Sequence, residues 1–248
     1  MEVNANIGLT FDVDWAPDWA IALCVDLCAS AGVPATFFVT HSCDILADLR
    51  RAPDRTELGL HPNFLPGSSH GATPEAVLEH CLALLPEARS MRTHSLVQST
   101  PLLGMVADHT PIDVDVSLFL PFHRFLHATA LPVGRSGRMI RRLPYLWEDD
   151  IAAGWPGWDW ETGGVPTDGG LCILAFHPIH VALNTASLDR YDALKDSLGG
   201  RGLASLTEAE AARFHRPGFG VRGFLERLLA DIPGHRFSTI AGLAGGAS

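Results

Sequence analysis

Short apolar runs bounded by turn residues recur at positions 7–11, 35–40, 57–60, 90–93, 113–120, 139–146 and 171–176, and each has the length and residue type of a buried strand. Between several of them the pattern changes to a helical period. Residues 18–30 read as one helix, ending before Gly32. Thr73-Pro74-Glu75 supplies a cap residue, a proline at the first helical position and an acid ahead of a second, over 76–85. Residues 96–108 read as a third. Alternation of this kind predicts an α/β architecture, a parallel sheet with helices packed outside it.

The pattern changes again further on. Gly154-Trp155-Pro156-Gly157-Trp158-Asp159-Trp160-Glu161-Thr162-Gly163-Gly164 is too rich in glycine, proline and tryptophan for a regular element and reads as a loop covering something. Thr207-Glu208-Ala209-Glu210 has capping-box spacing, 220–230 carries an amphipathic pattern, and 241–248 reads as a frayed tail. With no internal repeat or linker, residues 1–248 read as a single domain, with 206–240 as its C-terminal helical extension.

Composition narrows the picture. Lys+Arg 18 against Asp+Glu 28 gives a net charge of −10, and Lys195 is the only lysine, which argues against a nucleic-acid partner. No run approaches the ~18 apolar residues of a membrane span, and Met1-Glu2-Val3-Asn4 lacks the basic start of a signal peptide. The five cysteines form no CxxC pair, and Cys24 and Cys28 fall on one helix face, as packing thiols do. A cytoplasmic protein with reduced thiols is the expectation; the oligomeric state is left open.

Polar, metal-capable residues gather at or just after the ends of the apolar runs: Thr10-Phe11-Asp12-Val13-Asp14-Trp15, Gly59-Leu60-His61-Pro62-Asn63, Arg92-Thr93-His94, Trp147-Glu148-Asp149-Asp150 and Phe176-His177-Pro178-Ile179-His180. In a barrel of parallel strands the carboxyl ends open onto one face, so the five clusters are expected to share one mouth. Period two puts Asp12 with Asp14, His61 with Asn63 and Arg92 with His94 on common sides. Two imidazoles and a carboxylate are the ligand set of a hydrolytic zinc site, and a second carboxylate can take the proton of the activated water. The seven histidines at 41, 80, 109, 123, 127, 215 and 235 fall outside this pattern and read as core or surface residues. Trp147 and Trp158 read equally as core or as cleft-lining rings, and Glu148, Asp149 and Asp150 equally as a solvated strand end.

At these residues, over roughly 5–185, the sequence resembles the polysaccharide deacetylase superfamily, the NodB-homology or carbohydrate esterase family 4 group, and most of all its WbmS-like branch. The resemblance implies an irregular seven-stranded (β/α) barrel. It also implies Asp12 as base, Asp14 and His61 as metal ligands, Arg92 as the group that positions the base, and His177 or His180 as general acid. The family's second motif carries two histidines four apart, and here that position is Leu65. His70, on a Gly/Ser loop leaving the same strand, is the first choice for the missing imidazole and His94 the second. Asn63, His94, Trp147, Glu148 and Asp150 are the expected substrate contacts. The resulting expectation is a Zn2+ (or other divalent transition metal) hydrolase that removes an N-acetyl group from an amino sugar of a surface polysaccharide or its precursor. Arg135, Arg138, Arg141 and Arg142 are a candidate patch for an anionic substrate. A metal-dependent amidohydrolase on a small non-sugar amide and a non-catalytic carbohydrate-binding protein are the alternatives.

Overall fold

The computed structural model describes residues 6–167 and 169–245. The Met1 to Asn4 segment, and the tail beyond 245, lie outside the described residues. Among the described residues nine strands form one sheet: β1 (Ile7–Asp12), β2 (Ala35–Val39), β3 (Thr56–Leu60), β4 (Ser90–Met91), β5 (Val114–Asp115), β6 (Thr129–Val133), β7 (Arg138–Arg142), β8 (Trp147–Glu148) and β9 (Cys172–Phe176), in the order β6-β7-β5-β4-β3-β2-β1-β9-β8. Every pairing is parallel except β6 with β7. The fold is thus mixed α/β, and among the described residues no ladder joins β6 or β7 to β8, so the sheet is a curled half-barrel.

Two features correct the expected seven-stranded barrel. The run at 139–146 is not one strand: β7 ends at Arg142, and the chain crosses to the opposite edge of the sheet before β8. β6 carried no buried-strand signal because four of its five residues are exposed, and it contains Pro132, which an edge strand tolerates. At the centre, β1 is buried at all six positions between β2 and β9, which is why its sequence is mostly apolar up to Asp12, with Thr10 the exception.

The helix Asp18–Ser30 buries Ala20, Ile21, Cys24 and Cys28. Burial pushes the Cys28 thiol up to about 12, and all five cysteines are free, as expected of packing thiols. Thr73 Oγ1 accepts the Ala76 N–H at 3.3 Å and caps Pro74–Leu84. The third helix starts later than its apolar pattern suggested, at Thr100, capped by Ser99, because Ser95 and Leu96 have φ of 51° and 54°. Thr207 and Glu210 form the expected capping box. The expected frayed tail is instead a helix, Ile240–Gly245, that buries Ile240, Leu243 and Ala244 under β1 and β9. Among the described residues no helix is long and apolar enough to cross a membrane.

Candidate active site

Asp12 is the last residue of β1. Asp14 is not placed by the strand pleat, as period two suggested, but by a tight turn in which Asp14 (φ 44°) and Trp15 (φ 56°) are left-handed. The turn is fixed by the Val13 N–H, which donates to Phe38 O at 3.0 Å, and by the Trp15 N–H, which donates to Thr40 Oγ1 at 3.0 Å. Non-glycine residues in this region cost free energy, so two in succession mark a position held by its surroundings. In the neighbouring strand, a Cβ at Gly59 would lie 2.6 Å from the Phe38 ring. Glycine lets β3 close on β2 there and brings His61, two residues on, to the mouth.

Two imidazoles converge on the Asp14 carboxylate. Its Oδ1 lies 3.2 Å from His61 Nε2 and 3.0 Å from His94 Nδ1, and those two nitrogens are 3.3 Å apart. For bonds of about 2.0–2.1 Å, the ligand–ligand edge of a tetrahedron is about 3.3–3.4 Å, so the trio has the donor types and spacing of a metal site built from two histidines and one carboxylate. His61 Nδ1 is buried without a hydrogen-bond partner and lies 3.9 Å from Asp12 Oδ1, where a ligating histidine orients its second nitrogen toward a carboxylate. Burial pushes the Asp14 carboxyl up, but hydrogen bonds from His61 and His94 more than offset this and hold it well below the usual range.

His70 is not in this group. Its Nδ1 accepts the Asn63 N–H at 3.2 Å, its ring stacks on His80 at 4.9 Å, and its Nε2 has no partner. The Gly/Ser loop does fold the ring back, but against Trp15 (5.5 Å) rather than into the cluster, and His94 occupies the third position. Asn63 is likewise spent locally, since its Oδ1 accepts the Leu65 N–H at 3.0 Å in a turn.

On the other side of Asp14 lies the Asp12–Arg92 pair. Arg92 is fully buried, and its Nη1 donates to Asp12 Oδ1 and Thr10 Oγ1, each at 2.9 Å. The guanidinium is sandwiched by the Phe38 and Tyr145 rings, at 4.9 and 4.3 Å. His177 completes the centre. Its Nε2 is 3.7 Å from Asp14 Oδ2, its Nδ1 is 2.6 Å from Asp149 Oδ1, and its backbone N–H donates to Asp149 Oδ2 at 2.7 Å. Burial alone would lower the His177 imidazole, but the Asp149 charge and hydrogen bond raise it well above its ordinary value. Asp149 was missed by strand-based reading because a short helix, Asp149–Ala152, starts there, and it is this carboxylate that hydrogen-bonds His177 while Glu148 and Asp150 stand close by.

Glu148 and Asp150 sit around the same centre. Glu148 Oε2 accepts from Tyr145 Oη at 2.6 Å, and burial, then Asp150, pushes its carboxyl up to about 7. A carboxylate oxygen of Glu148, one of Asp12 and a His177 nitrogen all fall within 4.8 Å of one another. His180 is buried behind His177, with Nδ1 3.0 Å from Thr185 Oγ1 and its ring 4.5 Å from Tyr191. Asp14, His94, Asp150, His177 and His180 line a cleft of about 640 Å³. Trp147 does not reach it: the ring is fully buried among Phe176, Phe224 and Trp158, which assigns it to the core. The tryptophan loop covers that core and faces a separate groove with Phe122. Two members of the arginine patch are engaged within the fold. Arg138 donates to the Thr110 and Ile112 carbonyls, and Arg142 pairs with Asp115 at 2.8 Å and bonds Gln98.

Comparison with known proteins agrees with this geometry. No curated protein matches the chain. Among solved structures, a Bordetella bronchiseptica protein assigned as a polysaccharide deacetylase of O-antigen biosynthesis is 36% identical, with 91% of this chain and 90% of that one covered at a TM-score of 0.78. A peptidoglycan N-acetylglucosamine deacetylase follows at 14% identity, 97% and 88% coverage and a TM-score of 0.46, a likeness too slight to carry an argument. The model of the WbmS-like polysaccharide deacetylases matches residues 9–195, which contain every residue placed in the centre above. With that span matched and the ordered motifs meeting at one mouth, the chain belongs to the WbmS-like polysaccharide deacetylase family.

Proposed function

We propose that the chain is a metal-dependent hydrolase that removes an N-acetyl group from an amino sugar of a surface polysaccharide or its precursor. The observation that carries this reading is the meeting of Asp14, His61 and His94 between two buried polar pairs, Asp12–Arg92 and Asp149–His177. Asp14, His61 and His94 would hold the ion, zinc being the first choice for this donor set. When bound, it supplies Lewis-acid activation of water and of the scissile carbonyl.

The remaining roles belong to the chain itself. Arg92 holds the Asp12 carboxylate, which takes the water proton as general base. The contact is made by Nη1 to Oδ1 alone, which leaves the second Asp12 oxygen unengaged by Arg92. Asp149 directs the His177 Nδ1 proton to itself and favours the protonated ring, so Nε2 presents a proton to the leaving amine as general acid. His180 is the less suitable acid, because burial, then the His177 charge, lowers it to about 3.

The test is turnover of N-acetylated amino sugars by zinc-loaded protein, beside Asp12→Asn and Asp14→Ala. Asp12→Asn should abolish turnover with zinc still bound, and Asp14→Ala should lose both. Hydrolysis of cyclic amides but not of N-acetyl sugars would move the assignment to a small-amide hydrolase.

A further inference from the structure

The cleft runs on from His180 to Tyr191 and Lys195, and then to the loop that carries Arg201. Lys195 is the only lysine of a chain with net charge −10. Its Nζ lies 4.9 Å from the centre of the Tyr191 ring, which packs on His180 at 4.5 Å, which in turn packs on His177 at 5.6 Å. Three side-chain contacts therefore separate this ammonium from the proposed general acid. No described carboxylate, Asp150 included, lies within 4.0 Å of it, whereas Arg201 is held by Glu210 at 2.8 Å. The Lys195 charge is also one of the influences that hold the His180 imidazole down, burial and His177 being larger.

We propose that Lys195 is a specificity-determining residue: the cleft takes an amino sugar with an anionic substituent, a carboxylate or a phosphate, seated against this ammonium. This rests on the reading of the centre as an N-deacetylase and names its substrate class. Asp12, Asp14, Glu148, Asp149 and Asp150 crowd the catalytic end, so an anionic ligand needs a countercharge to enter. None of the β7 arginines lines this cleft, and Arg201, which does, is paired with Glu210, so Lys195 is the cleft cation without a carboxylate partner among the described residues. A lysine ammonium suits the task, as a point charge with three donors that can follow either anion.

The experiment compares three probes on the full-length, zinc-loaded protein: N-acetylglucosamine, its C6-oxidised uronate, and UDP-N-acetylglucosamine. Binding is followed by ligand-detected NMR and turnover by amine release. The wild type should bind at least one acidic probe about tenfold more tightly than the neutral sugar, with a preference that shrinks as salt is raised. The arm that wins tells carboxylate from phosphate. Lys195→Met should remove most of that preference, Lys195→Glu should invert it, and Lys195→Arg should keep it. Equal binding of neutral and acidic sugars, or a preference that survives Lys195→Glu, overturns the proposal while leaving the deacetylase reading intact. Acid-selective binding without any turnover supports the proposal and counts against that reading instead.

Discussion

His177 Nδ1 lies 2.6 Å from Asp149 Oδ1, and the other oxygen of the same carboxylate accepts the His177 backbone N–H, so one buried acid fixes both the ring and the chain that carries it. Asp149→Asn keeps the shape and one acceptor but removes the charge that favours the protonated ring. Turnover should fall about 10²-fold or more, with kcat taking the loss and zinc content unchanged. A KM effect alone, with kcat preserved, would reduce Asp149 to a packing residue.

Arg92 and Asp12 are both buried, and breaking such a pair from one side strands a charge. Arg92→Met should cost about 3–5 kcal/mol in urea unfolding. The double variant Arg92→Met/Asp12→Asn should recover part of that loss. Additive losses in this cycle would show that the two side chains do not stabilise one another.

The choice between His94 and His70 is open to direct measurement. His94→Ala should bring bound zinc well below one equivalent, while His70→Gln, whose amide oxygen can still accept the Asn63 N–H, should keep it. The reverse result would remove His94 from the proposed ligand set.

Two imidazoles set a pH dependence of stability. Burial, then the His80 charge, lowers His70 to about 4, and burial lowers His180 to about 3. An unfolded histidine titrates near ~6.5, so below that pH the unfolded chain binds more protons than the native state, and stability falls as pH drops toward about 4. The urea midpoint should decline over this window, with a shallower slope in His70→Gln. An identical slope would show that His70 is protonated as readily folded as unfolded.

Much of this was legible in the linear chain. Parallel strands buried on both faces leave long apolar runs, and the turn of chain after each such run is where a parallel sheet exposes its polar groups. The sequence alone therefore determined the α/β class, the central strands, the helix caps at Thr73 and Thr207, and the membership of Asp12, Asp14, His61, Arg92 and His177 in one centre. Features without periodicity were settled only in three dimensions. β6 is an exposed edge and β8 is two residues long, so neither leaves a buried run. His94, rather than His70, lies beside Asp14 and His61, where left-handed residues at Asp14 and Ser95 break the strand alternation, and Asp149 reaches His177 because a helix begins at that residue. Trp147 went to the core for a related reason: an indole that fits either environment is assigned by what packs against it, and only the tertiary structure brings Phe176 and Phe224 there.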